Sequence, residues 1–153
     1  MTIQEYVAEQ TVRVAVSLAH FLQTTQEDKR DWLPETTTRS ATQQVGECVG
    51  VNRFMAKLIS GEEVLAGSLH DYAFENTEDA QNQLVESANL LATAIRAMPD
   101  ENLERVYQHP RAQIVGKNLI IMPLRNMAYH AGQINFIQTL YGDTEFHAPS
   151  AWR

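Results

Sequence analysis

At 153 residues, with 44% hydrophobic and 20% charged side chains, the chain is long enough to bury an apolar core without staples, and its composition excludes disordered and fibrous classes. A formal net charge of −7 and a pI near 5.1 argue against nucleic-acid or anionic-membrane partners, and no basic stripe offsets them, Lys29-Arg30 being the only adjacent basic pair. The lone cysteine, Cys48, excludes an internal disulfide. With no basic-then-apolar leader and no membrane-length apolar run, one cytoplasmic domain spanning residues 1–153 is expected.

In chain order, Thr2 and Glu5 are spaced as a capping box and open a helix over about Ile3 to Leu22. Its apolar stripe is Ile3, Val7, Val14, Leu18 and Phe21, with Tyr6 beside it. Pro34 and the threonine run of EDKRDWLPETTTR mark a loop, which Trp32 is expected to plug onto the bundle. Ser40 and Gln43 form a second capping box, opening a helix that continues to about Ser60 before Gly61. Residues 62–76 are mixed and read as a long, partly ordered connection. Thr77, followed by Glu78 and Asp79, reads as the N-cap and acidic first turn of a third helix running to about Met98. Two prolines and a glycine make residues 99–116 a loop. The last helix stops at Tyr141-Gly142; either Pro123 sits in its first turn, or it bends a helix begun near Lys117. Long helices without strand-like alternation predict an all-α four-helix bundle.

The informative feature is a conflict inside two apolar stripes. Steps of three or four connect Glu47 with Val51, Phe54 and Leu58 on the second helix, placing a carboxylate on the core face. On the last helix the same stepping joins Leu119, Asn126, His130, Gln133, Ile137 and Leu140. Polar groups buried unpaired are costly, so the economical arrangement packs these two helices with Glu47 against Asn126 and His130. Two chemistries follow. Glu47 and His130 are good ligands for a divalent ion (Zn, Ni, Mn or Fe), with Asn126 as a weak third ligand or a substrate donor, and Gln133 hydrogen-bonding behind them. In the alternative, the cluster is a non-catalytic hydrogen-bond network that fixes helix register.

At these residues the sequence resembles a known family. DWLP followed by TTTRSATQQVGECV looks like the passage from the loop into helix two of the DinB/YfiT-like superfamily. NMAYHAGQINFIQTLYGD looks like that family's closing helix, whose signature is a histidine before Gly-Gln with another histidine four residues earlier. The resemblance implies an up-down-down-up four-helix bundle, a homodimer, and a metal held by three histidines. It also implies relatives that include thiol-dependent transferases and isomerases. Of the three histidine positions only His130 is retained; Glu47 and Asn126 stand at the others. The expectation is therefore a DinB-like bundle with a divalent-metal site at Glu47, Asn126 and His130, acting as a small-molecule transferase or hydrolase.

Other residues carry weaker signals. Cys48 reads as a small core residue rather than a nucleophile. Tyr129 reads as packing, although it adjoins His130, and His20 reads as a helix-end histidine. His70, His109 and His147 lack paired ligand spacing. No Gly-rich phosphate loop, Gly-x-Ser-x-Gly elbow or cysteine zinc motif is present, which excludes nucleotide-dependent and serine-hydrolase chemistry.

Overall fold

The structure is a computed structural model that describes residues 1–65 and 67–152. Four long helices build it: α1 (Ile3–Thr24), α2 (Ala41–Ile59), α3 (Thr77–Arg96) and, after a hairpin and a short helix, α5 (Met122–Leu140). Both capping boxes form. The Thr2 hydroxyl accepts from the Glu5 amide at 3.1 Å while Glu5 accepts from the Thr2 amide at 2.7 Å, and Ser40 and Gln43 do the same for α2. The third cap lies one residue earlier than expected. Asn76, not Thr77, accepts from the Asp79 amide at 2.9 Å, because an Asn side chain in extended backbone reaches the third helical amide as well as Thr does. Gly61 and Gly142 stop α2 and α5 in left-handed backbone, φ 77° and 96°. In each case the next amide folds back onto the last turn, Glu62 onto Lys57 and Asp143 onto Gln138.

Helix α1 packs on α3 and α5, and α2 packs on the same two, so α1 and α2 are diagonal. End-to-end bonds give the directions. Gln4, at the start of α1, donates to the Met98 carbonyl after α3, and Gln138, near the end of α5, donates to the Phe21 carbonyl near the end of α1. The Thr42 amide at the start of α2 bonds the Arg30 carbonyl just past α1. The order is up-down-down-up, as the resemblance implies. The core is in two clusters, one around Phe21, Leu22, Val45, Leu84 and Met127, the other around Phe54, Met55, Leu91, Ile95 and Leu119. Between them the fully buried Asn52 amide donates to Ser87 at 3.2 Å. Ile3 and Tyr6 lie outside the core, half exposed. Trp32 stands edge-on to Tyr141, centroids 6.3 Å apart, where the first loop meets the bundle.

Residues 99–116 are more than a loop. A 3-10 turn, Asp100–Leu103, leads into an antiparallel hairpin of β1 (Val106–His109) and β2 (Ala112–Val115), with Val106 opposite Val115 and His109 opposite Ala112. Strands of four residues are too short to print an alternation that periodicity can detect. The hairpin leads into α4 (Gly116–Leu119), and α5 then begins separately with Pro123 in its first turn. That resolves the two expected starts: a proline at 123 removes a donor and crowds the carbonyl at 119, so one helix cannot run through it.

The connection after α2 is strapped across that helix through two glycines. A Cβ on Gly46 would lie 2.2 Å from the Tyr72 carbonyl oxygen, and one on Gly50 would lie 2.0 Å from that of His70. The Tyr72 amide bonds the Gly46 carbonyl at 3.1 Å, and Arg53 covers the Tyr72 ring. Gly46→Ala is expected to cost on the order of 1–3 kcal/mol in urea unfolding through backbone overlap. The double variant with Gly50→Ala should cost less than the sum, because the first change already lifts the strap. Full additivity would mean that the two contacts form independently.

Candidate functional site

Glu47 stands on α2 two turns after the Ser40 cap, facing α5, with its side chain 27% exposed. Antiparallel packing of α2 on α5 sets His130 and Asn126 against it. The His130 ring is buried, and its Nε2 lies 3.2 Å from Glu47 Oε1. The Asn126 amide nitrogen is 3.5 Å from the same oxygen, a long donor contact. The three residues anticipated at the site are therefore brought together, at the edge of the buried face of α5 rather than on its core line. The core line of α5 is Met127, Ala131, Ile134 and Ile137, while Leu140 is half exposed.

Two residues that periodicity did not flag complete the cluster. Gln44, one turn before Glu47 on α2, puts its Oε1 against His130 Nδ1 in a very short contact. Gln44 is thus the residue behind the imidazole; Gln133, expected there, lines a cavity beside the ring with its Oε1 buried and unpartnered among the described residues. Arg39, just before the Ser40 cap, places Nη1 2.5 Å from Glu47 Oε2 and 2.9 Å from Asp71 Oδ2. The glycine-seated strap delivers Asp71 to that position. A guanidinium in a loop carries no periodicity, so only its proximity in space identifies it.

The electrostatics turn on the imidazole. With Nδ1–H donating to Gln44 Oε1, Nε2 carries either a lone pair or a second proton. It has no hydrogen-bond partner among the described residues despite its buried position, although the nearest Glu47 oxygen is 3.2 Å away. The Asn126 Oδ1 is likewise buried without a partner among the described residues. Cys48, adjacent in sequence, is fully buried, and burial pushes its thiol well above its ordinary range, with the Glu47 charge adding to the effect.

Two cavities open from the cluster, with Arg39 and Glu47 in the wall of each. One, of about 300 Å³, has an apolar floor that includes Val51, Phe54 and Met55, and it also meets Asp71, Asn126 and the hairpin. The other, of about 500 Å³, is lined by Gln44, His130, Gln133, Tyr129 and Phe136. His109, set aside for lack of paired spacing, enters the smaller cavity from β1.

Residues 10–134 match the family model described as the DinB superfamily. The chain belongs to the DinB superfamily. Its fold is similar to that of a DinB-like protein, YjoA, from Bacillus subtilis: TM-score 0.68 at 14% identity, covering 92% of this chain and 95% of that one. It is also similar to a conserved protein from Enterococcus faecalis, with TM-score 0.71 at 12% identity, covering 92% and 97% of the two chains. No curated protein matches the sequence significantly.

Where the resemblance implies three histidines this chain has Glu47, Asn126 and His130, and among the described residues no group of three His, Cys, Asp or Glu side chains converges as a metal-holding set. What it offers is one imidazole nitrogen, one carboxylate oxygen and one amide.

The thiol gives a direct check on the chemistry of this region. Cys48 is expected to resist an aromatic disulfide reagent at pH 8 in the folded protein and to react at once in denaturant. Rapid labelling of the native protein would show that α2 opens around the site.

Proposed function

We propose that this DinB-superfamily bundle carries a divalent-metal site at Glu47 and His130, opening on a small-molecule cavity, and that it acts as a small-molecule transferase or hydrolase. One observation carries the reading. His130 Nδ1 is spent on Gln44, while the buried Nε2 faces Glu47 Oε1 at 3.2 Å without a hydrogen bond. Two electron-pair donors at that spacing repel unless a cation lies against both. Ligand bonds of about 2.0–2.2 Å set neighbouring ligand atoms about 3.0–3.5 Å apart, which the pair satisfies. Asn126 becomes a weak third donor if its amide is turned by half a rotation, which would also give its buried oxygen a partner.

A divalent ion held there (Zn, Ni, Mn or Fe) would polarise a substrate oxygen or activate a water molecule. The chain's own residues do the positioning. Gln44 fixes the imidazole tautomer and ring plane. Arg39 holds the outer carboxylate oxygen, so Glu47 presents its inner one.

A second reading is favoured by Arg39 itself. Its guanidinium already neutralises Glu47, and Asn126 presents nitrogen, not oxygen, to the carboxylate. In that reading the cation on Nε2 is a proton and the cluster is a non-catalytic network joining α2 to α5. Elemental analysis of protein purified without a histidine tag separates the two. The metal reading expects one ion per chain, lost in His130→Ala. It also expects stabilisation of about 2.7 kcal/mol at a free metal concentration a hundred times the dissociation constant. Substoichiometric metal after supplementation sinks it. Coupling between Glu47→Gln and His130→Ala without metal dependence then supports the network.

Dimerisation belongs to the same proposal. Tyr129, Phe136 and Leu140 lie along the outer face of α5, 65%, 63% and 48% exposed, an apolar stripe suited to a second copy. Among the described residues no helix is long and apolar enough to cross a membrane, and the proposed compartment is the cytoplasm. Light scattering is expected to give twice the chain mass; a monomer mass at micromolar concentration removes the dimer.

A further inference from the structure

The hairpin between α3 and α5 brings two groups to the smaller cavity that the Glu47–His130 cluster does not use. His109 is buried in the cavity wall, its ring edge-on to Phe54 with centroids 5.7 Å apart. Its Nδ1 accepts the Arg111 backbone amide at 3.2 Å, so the ring proton sits on Nε2, which has no protein partner among the described residues. Burial, and then the Arg111 charge, lower the His109 pKa and keep the ring neutral. Two residues on, Arg111 lines the same cavity, is exposed, and forms no ion pair among the described residues.

The charge inventory of the cavity decides the ligand class. Its carboxylates, Glu47 and Asp71, are both taken by Arg39. Two of its donors stay uncommitted, the Arg111 side chain and the His109 Nε2–H, while the Asn126 Oδ1 is a buried acceptor without a partner among the described residues. Beneath them the floor is apolar and adaptable, built of Phe54, Ile114 and the thioethers Met55 and Met122. A volume of about 300 Å³ is at the small end of small-molecule sites. A ligand that satisfies this arrangement has an apolar body on the methionine floor and an anionic head accepting from the guanidinium in bidentate fashion and from the imidazole.

We infer that the hairpin cavity binds a small carboxylate with an aromatic or aliphatic body, Arg111 and His109 gripping the carboxylate. The inference deepens the small-molecule reading above and rests on it. It does not depend on metal, because neither gripping residue belongs to the Glu47–His130 pair.

The experiment uses phenylacetate as the probe and phenylacetamide as its uncharged isostere, followed by NMR of the methionine methyls. It is run on chelator-treated protein and again on protein supplemented with Zn. Phenylacetate should shift the Met55 and Met122 methyls saturably, leave Met98 and Met127 unmoved, and bind at least about tenfold more tightly than the amide. Arg111→Gln should abolish that preference without lowering the melting temperature, since Arg111 is exposed. His109→Gln, which can still offer an amide donor, should weaken the carboxylate less than His109→Phe does. No movement of either cavity methyl, equal binding of acid and amide, or an unchanged preference in Arg111→Gln would each overturn the inference. Binding in the chelated protein alongside absent metal would retain it while sinking the metal reading; stoichiometric metal without probe binding would do the reverse.

Discussion

A carboxylate turned toward the neighbouring helix is the constraint around which this end of the bundle is arranged. Glu47 projects from a helix whose other faces are almost entirely buried, so its charge has little water to draw on and must be met by protein. The compensation comes from separate parts of the chain: Arg39 from the loop before α2, and His130 and Asn126 from α5. Because Arg39 also binds Asp71, the strap after α2 is drawn into the same set of charges. One side chain thereby couples a loop, two helices and a connection. Removing any partner leaves a charge in a half-buried place, which is why the cluster carries more consequence than its few contacts suggest.

The backbone makes this possible through small residues. Gly46 and Gly50 leave a track on α2 that only a bare backbone can occupy, and the chain from His70 to Tyr72 lies in it. That seating sets the height of Asp71 above Arg39 and closes one side of the hairpin cavity. Gly116 plays the same part for the hairpin, its missing Cβ making room for the Asn102 carbonyl. The two cavities on either side of the Arg39–Glu47 pair therefore owe their walls to close backbone approaches as much as to the bundle core.

Much of the architecture was legible along the chain because it rests on local chemistry. Capping boxes at Thr2 and Ser40, the acidic start of α3 and the glycine stops at Gly61 and Gly142 depend on neighbours within four residues, so spacing reveals them. The misses are equally physical. Asn76 and Thr77 are both competent caps, and backbone conformation chose between them. The hairpin strands are too short for alternation to register, and Ile3 carries the right period but is half exposed, as is Tyr6 beside it.

The site divides along the same line. Periodicity singled out Glu47, Asn126 and His130, because a polar residue in an apolar stripe is a local anomaly, and the three do meet. Arg39, Gln44, Asp71 and His109 carried no such mark; an arginine in a loop and a histidine on a strand resemble any others until the chain is folded. What the amino-acid order determined by itself was which helices form, where they stop and which polar side chains face inward, since these follow from interactions a few residues long. Which cation answers the Glu47 carboxylate, which amide holds His130 and what the hairpin adds to the cavity were decided only by tertiary packing. Those partners are from eight to nearly ninety residues apart in the chain, and the α5 members become neighbours only when α2 closes on α5.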